Sequence, residues 1–152
     1  MSWLSLNSFE LQAVRKLLYL DVSEAAEHIG KVSNRSWQYW EAGRTLVPSD
    51  VEIKMYELAQ WRSMLIKLTL AELVTTKDKS SKITLKWYHN FDAWEAIFPN
   101  KNKVLWRLHQ SVCAYLFEEN ERVELDANAP LNTDCFMYQW LSDMILEKSW
   151  RA

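Results

Sequence analysis

Apolar residues return every three or four positions from Ser8 onward, and this rhythm divides the N-terminal half of the chain into helices. In SFELQAVRKLLYL, the residues Leu11, Val14, Leu17 and Leu18 form one face, and Ser8 stands where an N-cap belongs. DVSEAAEHIG follows, with Asp21 as cap and Glu24 three residues on to complete a capping box. Ala25, Ala26 and Ile29 give this short helix a small-residue face for close packing, and Gly30 is expected to end it at positive φ. Ser33 caps the next short helix, NRSWQYWEAG, which Gly43 terminates. Pro48 and Ser49 open a long helix in which Leu58, Trp61, Leu65 and Leu68 make an amphipathic seam.

The second half begins after a polar linker, TTKDKSSK. ITLKWY alternates Ile83, Leu85 and Trp87 with Thr84, Lys86 and Tyr88 and reads as a strand. Asn90 caps a short helix that Pro99 stops. KVLWRLHQSVCAYLF is a longer helix with Leu105, Leu108, Val112 and Tyr115 on one face. The acidic stretch after it reads as a loop running to NAPLNTD. A last helix, about Thr133 to Trp150, is expected to bury Met137, Trp140, Leu141 and Met144. The expected fold is mainly α: an N-terminal domain over residues 1–76 with a long fourth helix, and a helical region with one short strand over 77–152.

Composition supports long helices, since 152 residues include only two glycines and three prolines. The net charge of −2 is not that of a chain selected to bind polyanions at large. Charge is patchy, however. Lys77, Lys79, Lys82 and Lys86 form one basic run and Lys101, Lys103 and Arg107 another, while Glu118, Glu119, Glu121, Glu124 and Asp126 are acidic. No apolar run is long enough for a membrane span, and Cys113 and Cys135 lack metal-ligand spacing, which fits a reduced cytoplasmic protein. His28, His89 and His109 are scattered, with no phosphate loop, nucleophile elbow or HExxH. No enzyme, metal or cofactor is expected.

Two short helices around a tight turn at residues 22–44 match the helix-turn-helix pattern. Ala26 takes the small position where the helices cross, and Val32 and Trp37 point inward. Trp37 and Trp40, three residues apart, share a face and belong to the core. Asn34, Arg35, Gln38 and Tyr39 fall on the opposite face, where each can hydrogen-bond a base edge or a phosphate. An ordinary solvated polar face is the competing reading of this pattern.

LYLDVSEAAEHIGKVSNRSWQYWEAGRTLVPS resembles the lambda-repressor/Cro-like DNA-binding domain, through Trp40, Glu41, Gly43, Arg44 and Pro48. The resemblance implies an ion pair between Arg15 and Glu41. FELQAVR, SWQYWEAG, FDAWEAIFP and QSV, in this order, resemble the YdiL-type family of small bacterial helix-turn-helix proteins, which includes anti-CRISPR-associated repressors. That likeness runs over roughly residues 8–117, and 118–152 match no named family. Carried over by position, it implies Asn34, Arg35 and Tyr39 as base contacts, with Ser33, Ser36 and Gln38 secondary, and Lys31 and Arg44 as backbone contacts. The sequence departs from the family in two places. Lys31 adds a residue to the turn, and Val22 stands where many members carry glutamine, so backbone contacts there fall to Ser23 or main-chain N–H groups.

The second half offers more apolar surface than a small N-terminal domain can cover. This is expected to be either a larger monomeric core or a homodimer interface, and the family resemblance favours the dimer. The expected protein is a sequence-specific, double-stranded-DNA-binding, autoregulating repressor, acting as a homodimer on an inverted repeat. An antitoxin-like protein-interaction module and an RNA-binding regulator are the alternatives.

Overall fold

A computed structural model describes residues 5–75 and 80–146. Lys77, Lys79, half of the expected linker and the end of the last helix lie outside the described residues. The chain packs as two units, 1–62 and 63–152, and the packing boundary falls inside one continuous helix, Ser49–Val74.

In the first unit, α1 spans Ser8–Leu17. Its cap is Asn7 and not Ser8: the Asn7 side chain accepts from the Glu10 N–H at 2.8 Å, and Glu10 returns the bond to the Asn7 N–H at 3.0 Å. This reciprocal pair satisfies two helix-end donors, which a Ser8 cap would leave without Glu10 in reach. The inner face of α1 is Leu11, Arg15 and Leu18. Leu17, expected inside, is exposed, because the arginine takes the inward position.

Helix α2, Val22–Ala25, is capped by the Asp21–Glu24 box (2.7 and 3.1 Å) and continues into a π-helical turn, Ala26–Gly30. Lys31, and not Gly30, takes the left-handed conformation that ends it, with φ 55°. Gly30 is required for space instead. A Cβ there would meet Val32 Cγ2 at 3.0 Å, Trp37 Cε3 at 3.1 Å and Trp40 Cζ3 at 3.1 Å. Val32 itself is only half-buried, since the turn holds it at the surface. Helix α3, Asn34–Glu41, begins at Ser33, whose Oγ accepts from the Ser36 N–H at 3.2 Å. Gly43, at φ 75°, closes it. Trp37 and Trp40 are buried with ring centroids 5.3 Å apart, and α3 packs on α1 and α2.

One electrostatic contact fastens α3 to α1. Arg15 Nε donates to Glu41 Oε2 at 2.6 Å and Nη2 to Oε1 at 3.1 Å, while Nη1 donates to the Leu20 carbonyl at 2.9 Å. Trp37 Nε1 donates to Glu41 Oε2 at 2.5 Å. The two charged side chains are 10% and 8% exposed, so each depends on the other for its solvation. Burial pushes the Glu41 pKa up, but hydrogen bonds from Arg15 and Trp37 and the guanidinium charge outweigh it and leave the carboxyl below its usual value.

Helix α4, Ser49–Val74, buries two separate sets of residues. Val51, Met55 and Leu58 belong to the first unit; Leu65, Ile66, Thr69 and Leu73 belong to the second. The expected seam is therefore corrected: Leu58 and Leu65 are buried, Trp61 is half-buried, and Leu68 is exposed. A helix that serves two cores changes its inward face partway along.

In the second unit, β1 (Ile83–Lys86) pairs in parallel with β2 (Val123–Asp126), Ile83 opposite Val123. The acidic stretch expected as a loop thus includes a strand. Parallel pairing requires a long crossover, and α5 (Phe91–Glu95, capped by Asn90) and α6 (Val104–Glu119) supply it. Leu105, Leu108 and Val112 are buried on α6 as expected, but Tyr115 is exposed and Leu116 fills the inward position. The Tyr88 carbonyl accepts from Trp106 Nε1 at 2.8 Å and Gln110 Nε2 at 3.1 Å. Helix α7, Phe136–Leu146, starts later than expected because the Glu72 carboxylate accepts from the Phe136 N–H at 2.9 Å. It buries Met137, Leu141 and Ile145, with Trp140 and Met144 half-buried.

Two neighbouring substitutions in the turn are expected to act in opposite directions. Gly30→Ala overpacks the two tryptophans and should cost about 1–3 kcal/mol. Lys31→Gly relieves the left-handed backbone and should gain up to about 1 kcal/mol after the entropy of the unfolded glycine is counted. Denaturant melts of both variants check the pair; destabilisation by each would refute the assignment of Lys31 to the left-handed position.

Deleting one partner of the Arg15–Glu41 pair strands a buried charge. Arg15→Met and Glu41→Gln should each cost about 3–5 kcal/mol, and the double variant less than the sum. Because the folded Glu41 pKa is depressed, its contribution is complete above the unfolded carboxylate value and fades as pH falls through the folded one. Acid titration of stability should therefore be shallower in Glu41→Gln than in the parent chain below about pH 5.

Candidate nucleic-acid interface

The outer face of α3 is built by what its inner face does. With Trp37, Trp40 and Glu41 committed inward, the 3.6-residue period places Asn34, Arg35 and Gln38 outward, and all three are exposed. The carboxylate of Glu41 is the one acidic side chain on the helix, and it faces the arginine of α1. The outer face therefore presents amide and guanidinium donors with no carboxylate among them.

Six of the nine side chains expected at this interface fall into coupled pairs. Asn34 Nδ2 donates to Ser23 Oγ at 2.8 Å, so the residue read as a base contact and the one read as a backbone contact touch across the turn. Ser33 and Ser36 are joined Oγ to Oγ at 3.2 Å in the N-terminal cap, which leaves Ser33 exposed and Ser36 half-buried. The Arg44 guanidinium lies over the Tyr39 ring, 5.2 Å from its centroid, and Tyr39 is half-buried. Arg44 and Lys31 are exposed beyond opposite ends of α3. The structure thus brings Ser23, Asn34, Ser33 and Ser36 together at the start of α3 and Tyr39 and Arg44 together at its end. Arg35 and Gln38 stand between.

Sequence reasoning missed Trp37 as a ligand of Glu41, although their four-residue spacing on a helix was the available signal. It also missed the Tyr39–Arg44 stack, which depends on the chain turning back at Gly43: the Arg44 N–H donates to the Tyr39 carbonyl at 2.9 Å. Among the described residues, no three His, Cys, Asp or Glu side chains gather as metal ligands, and no helix is long and apolar enough to cross a membrane.

The chain is similar to known proteins over most of this architecture. A repressor named Aca2, from Pectobacterium phage ZF40, is 49% identical over 114 residues, covering 72% of this chain and 91% of its own. The Escherichia coli (strain K12) protein YdiL, itself uncharacterized, is 25% identical over 113 residues, 74% of this chain and 93% of its own. The Aca2/YdiL-like family model matches residues 6–125, from the residues before α1 into β2. This chain is a member of the Aca2/YdiL-like family.

Proposed function

We propose that this chain is a sequence-specific DNA-binding repressor that acts as a homodimer on an inverted repeat in the promoter of its own transcription unit. The observation that carries the reading is the outer face of α3: exposed Asn34, Arg35 and Gln38, free of carboxylates, on a helix locked from below by Arg15, Glu41 and Trp37. In this reading α2 and α3 form a helix-turn-helix and α3 enters the major groove. Arg35 makes the bidentate contact to guanine that an exposed guanidinium is shaped for, and Asn34 and Tyr39 read neighbouring base edges, with Gln38, Ser33 and Ser36 secondary. Ser23, Lys31 and Arg44 meet phosphates and fix the register without reading sequence. The 49% identity to a protein named a repressor supports the regulatory role.

Residues 1–76 read the operator in this proposal, and 77–152 join two copies. Support for pairing comes from the sheet. Among the described residues β1 and β2 have only each other, so each strand keeps an unpaired edge, and parallel strands are seldom left so bare. A single module makes few base contacts, and a second, linked half-site multiplies affinity.

Arg35→Ala should cost about 1–3 kcal/mol and relax preference at one base pair, while Arg44→Ala should weaken all sequences alike and flatten the salt slope by about one unit. Binding titrations on operator variants at several salt concentrations check both. Uniform, sequence-independent losses for both variants would remove Arg35 from base reading. A structured transcript that outcompetes the operator duplex would favour RNA as the main target.

A two-fold dimer needs half-sites with centres about 34 Å apart, roughly 10 base pairs, or a multiple of that. Five added base pairs turn one half-site to the opposite side of the duplex. Affinity should then fall by about 100-fold or more, the size of the lost avidity. Footprinting the upstream region and titrating the spacer variant give the result, and unchanged affinity would refute the dimeric operator.

A further inference from the structure

The second unit contains a cavity of about 300 Å³, the low end of the range for small-molecule sites. Its wall is drawn from the second half of α4, from β1, from Tyr88 and His109, and from the segment running into α7. Most of that wall is aliphatic or aromatic, and its polar groups divide into two classes.

Two of the three charged groups are engaged within the protein. The Glu72 carboxylate accepts from the Phe136 N–H at 2.9 Å. Lys86 Nζ donates to the carbonyls of Ala127 and Ala129 at 3.1 and 2.9 Å and lies 5.8 Å from the Tyr88 ring centroid. Exposed Asp134 adds a further carboxylate at the wall, which opposes an anionic guest. Thr84, Asn132 and Cys135 also have partners within the protein, and one neutral group is different. Thr69 is 3% exposed, lines the cavity, and its hydroxyl has no hydrogen-bond partner among the described residues. A buried hydroxyl left unmatched forfeits its hydration without compensation, and such groups are rare without a reason. His109 also lines the cavity, with its ring against those of Tyr88 and Trp94 at 5.2 and 5.5 Å and its nitrogens 3.6 and 3.8 Å from Cys113 Sγ. Burial lowers its pKa to about 4, so it is a neutral imidazole at physiological pH, with a donor and an acceptor nitrogen.

The geometry points to a binding site for a small, neutral, flat molecule of one or two aromatic rings, with a hydrogen-bonding group that engages the Thr69 hydroxyl. Aromatic and aliphatic walls take the faces of the rings. Thr69 supplies the polar contact; Glu72 and Lys86 are committed internally and Asp134 is exposed to solvent, so no buried countercharge is free for a charged guest. The site stands apart from α3, and its existence does not depend on what α3 binds.

Indole and phenol serve as neutral probes for the intact chain, with benzoate and benzamidine as charged counterparts. Indole or phenol should raise the melting temperature saturably, and the charged analogues should bind at least about tenfold more weakly. Thr69→Val keeps the shape and removes the unmatched hydroxyl. It should leave the ligand-free melting temperature unchanged or higher, yet weaken the responding probe at least about fivefold. Ile83→Phe narrows the cavity from β1 and should abolish the response in a folded protein. No saturable shift with either neutral probe would overturn the proposal, as would undiminished binding by Thr69→Val. Sedimentation showing that Ile83→Phe alone changes the oligomeric state would overturn it too, by giving the cavity to a second copy of the chain.

Discussion

The first unit depends on a charge that could not be left alone. Arg15 sits on the core face of α1 between Leu11 and Leu18, where a guanidinium is tolerable only with its donors matched. Glu41 matches two of them and the Leu20 carbonyl a third. Because the planar guanidinium accepts a carboxylate in few orientations, this contact sets the position of α3 more narrowly than apolar packing alone would. Trp37 belongs to the same device: its indole nitrogen meets the carboxylate while its ring fills the core beside Trp40. Gly30 then has no choice of side chain, since the two rings occupy the space a Cβ would need.

The second unit solves a different problem, that of burying polar groups around a minimal sheet. The Tyr88 carbonyl, just past β1, collects donors from Trp106 and Gln110, so α6 is fixed by side-chain hydrogen bonds as well as by Leu105, Leu108 and Val112. Glu72 does similar work at the other side, accepting the first N–H of α7 in place of a local cap. Both are contacts between residues far apart in sequence. They give the unit definite side-chain positions despite its short strands.

The parts of this structure legible in the sequence are those fixed by local chemistry. The Asp21–Glu24 box, the Ser33 and Asn90 caps, the Gly43 terminus and the tryptophan face of α3 all follow from spacings of three or four residues. The rest depended on distant partners. Asn7 wins the first cap because Glu10 can answer it, a competition with Ser8 that either residue type could enter. Gly30 reads in the sequence as a conformational breaker, yet the need there is steric and comes from tryptophans beyond the turn. The acidic stretch reads as a loop, and Val123–Asp126 within it is a strand because β1 supplies a parallel partner across two intervening helices. The outer face of α3 was readable as a set of residues, but the Asn34–Ser23 and Tyr39–Arg44 couplings were not, since both need the chain to double back.

The division of α3 into a committed side and an uncommitted one also bears on how such a chain can change over generations. Replacing Trp37, Trp40 or Glu41 disturbs several neighbours at once, and selection against unfolding holds them in place. Arg35 and Gln38 are exposed on the far side, and surface substitutions away from core contacts usually shift stability by less than about 0.5 kcal/mol. The inner face thus carries the inheritance of the fold and the outer face is open to drift. Descendants of one ancestor can keep this scaffold almost unchanged while its exposed side chains change a few at a time.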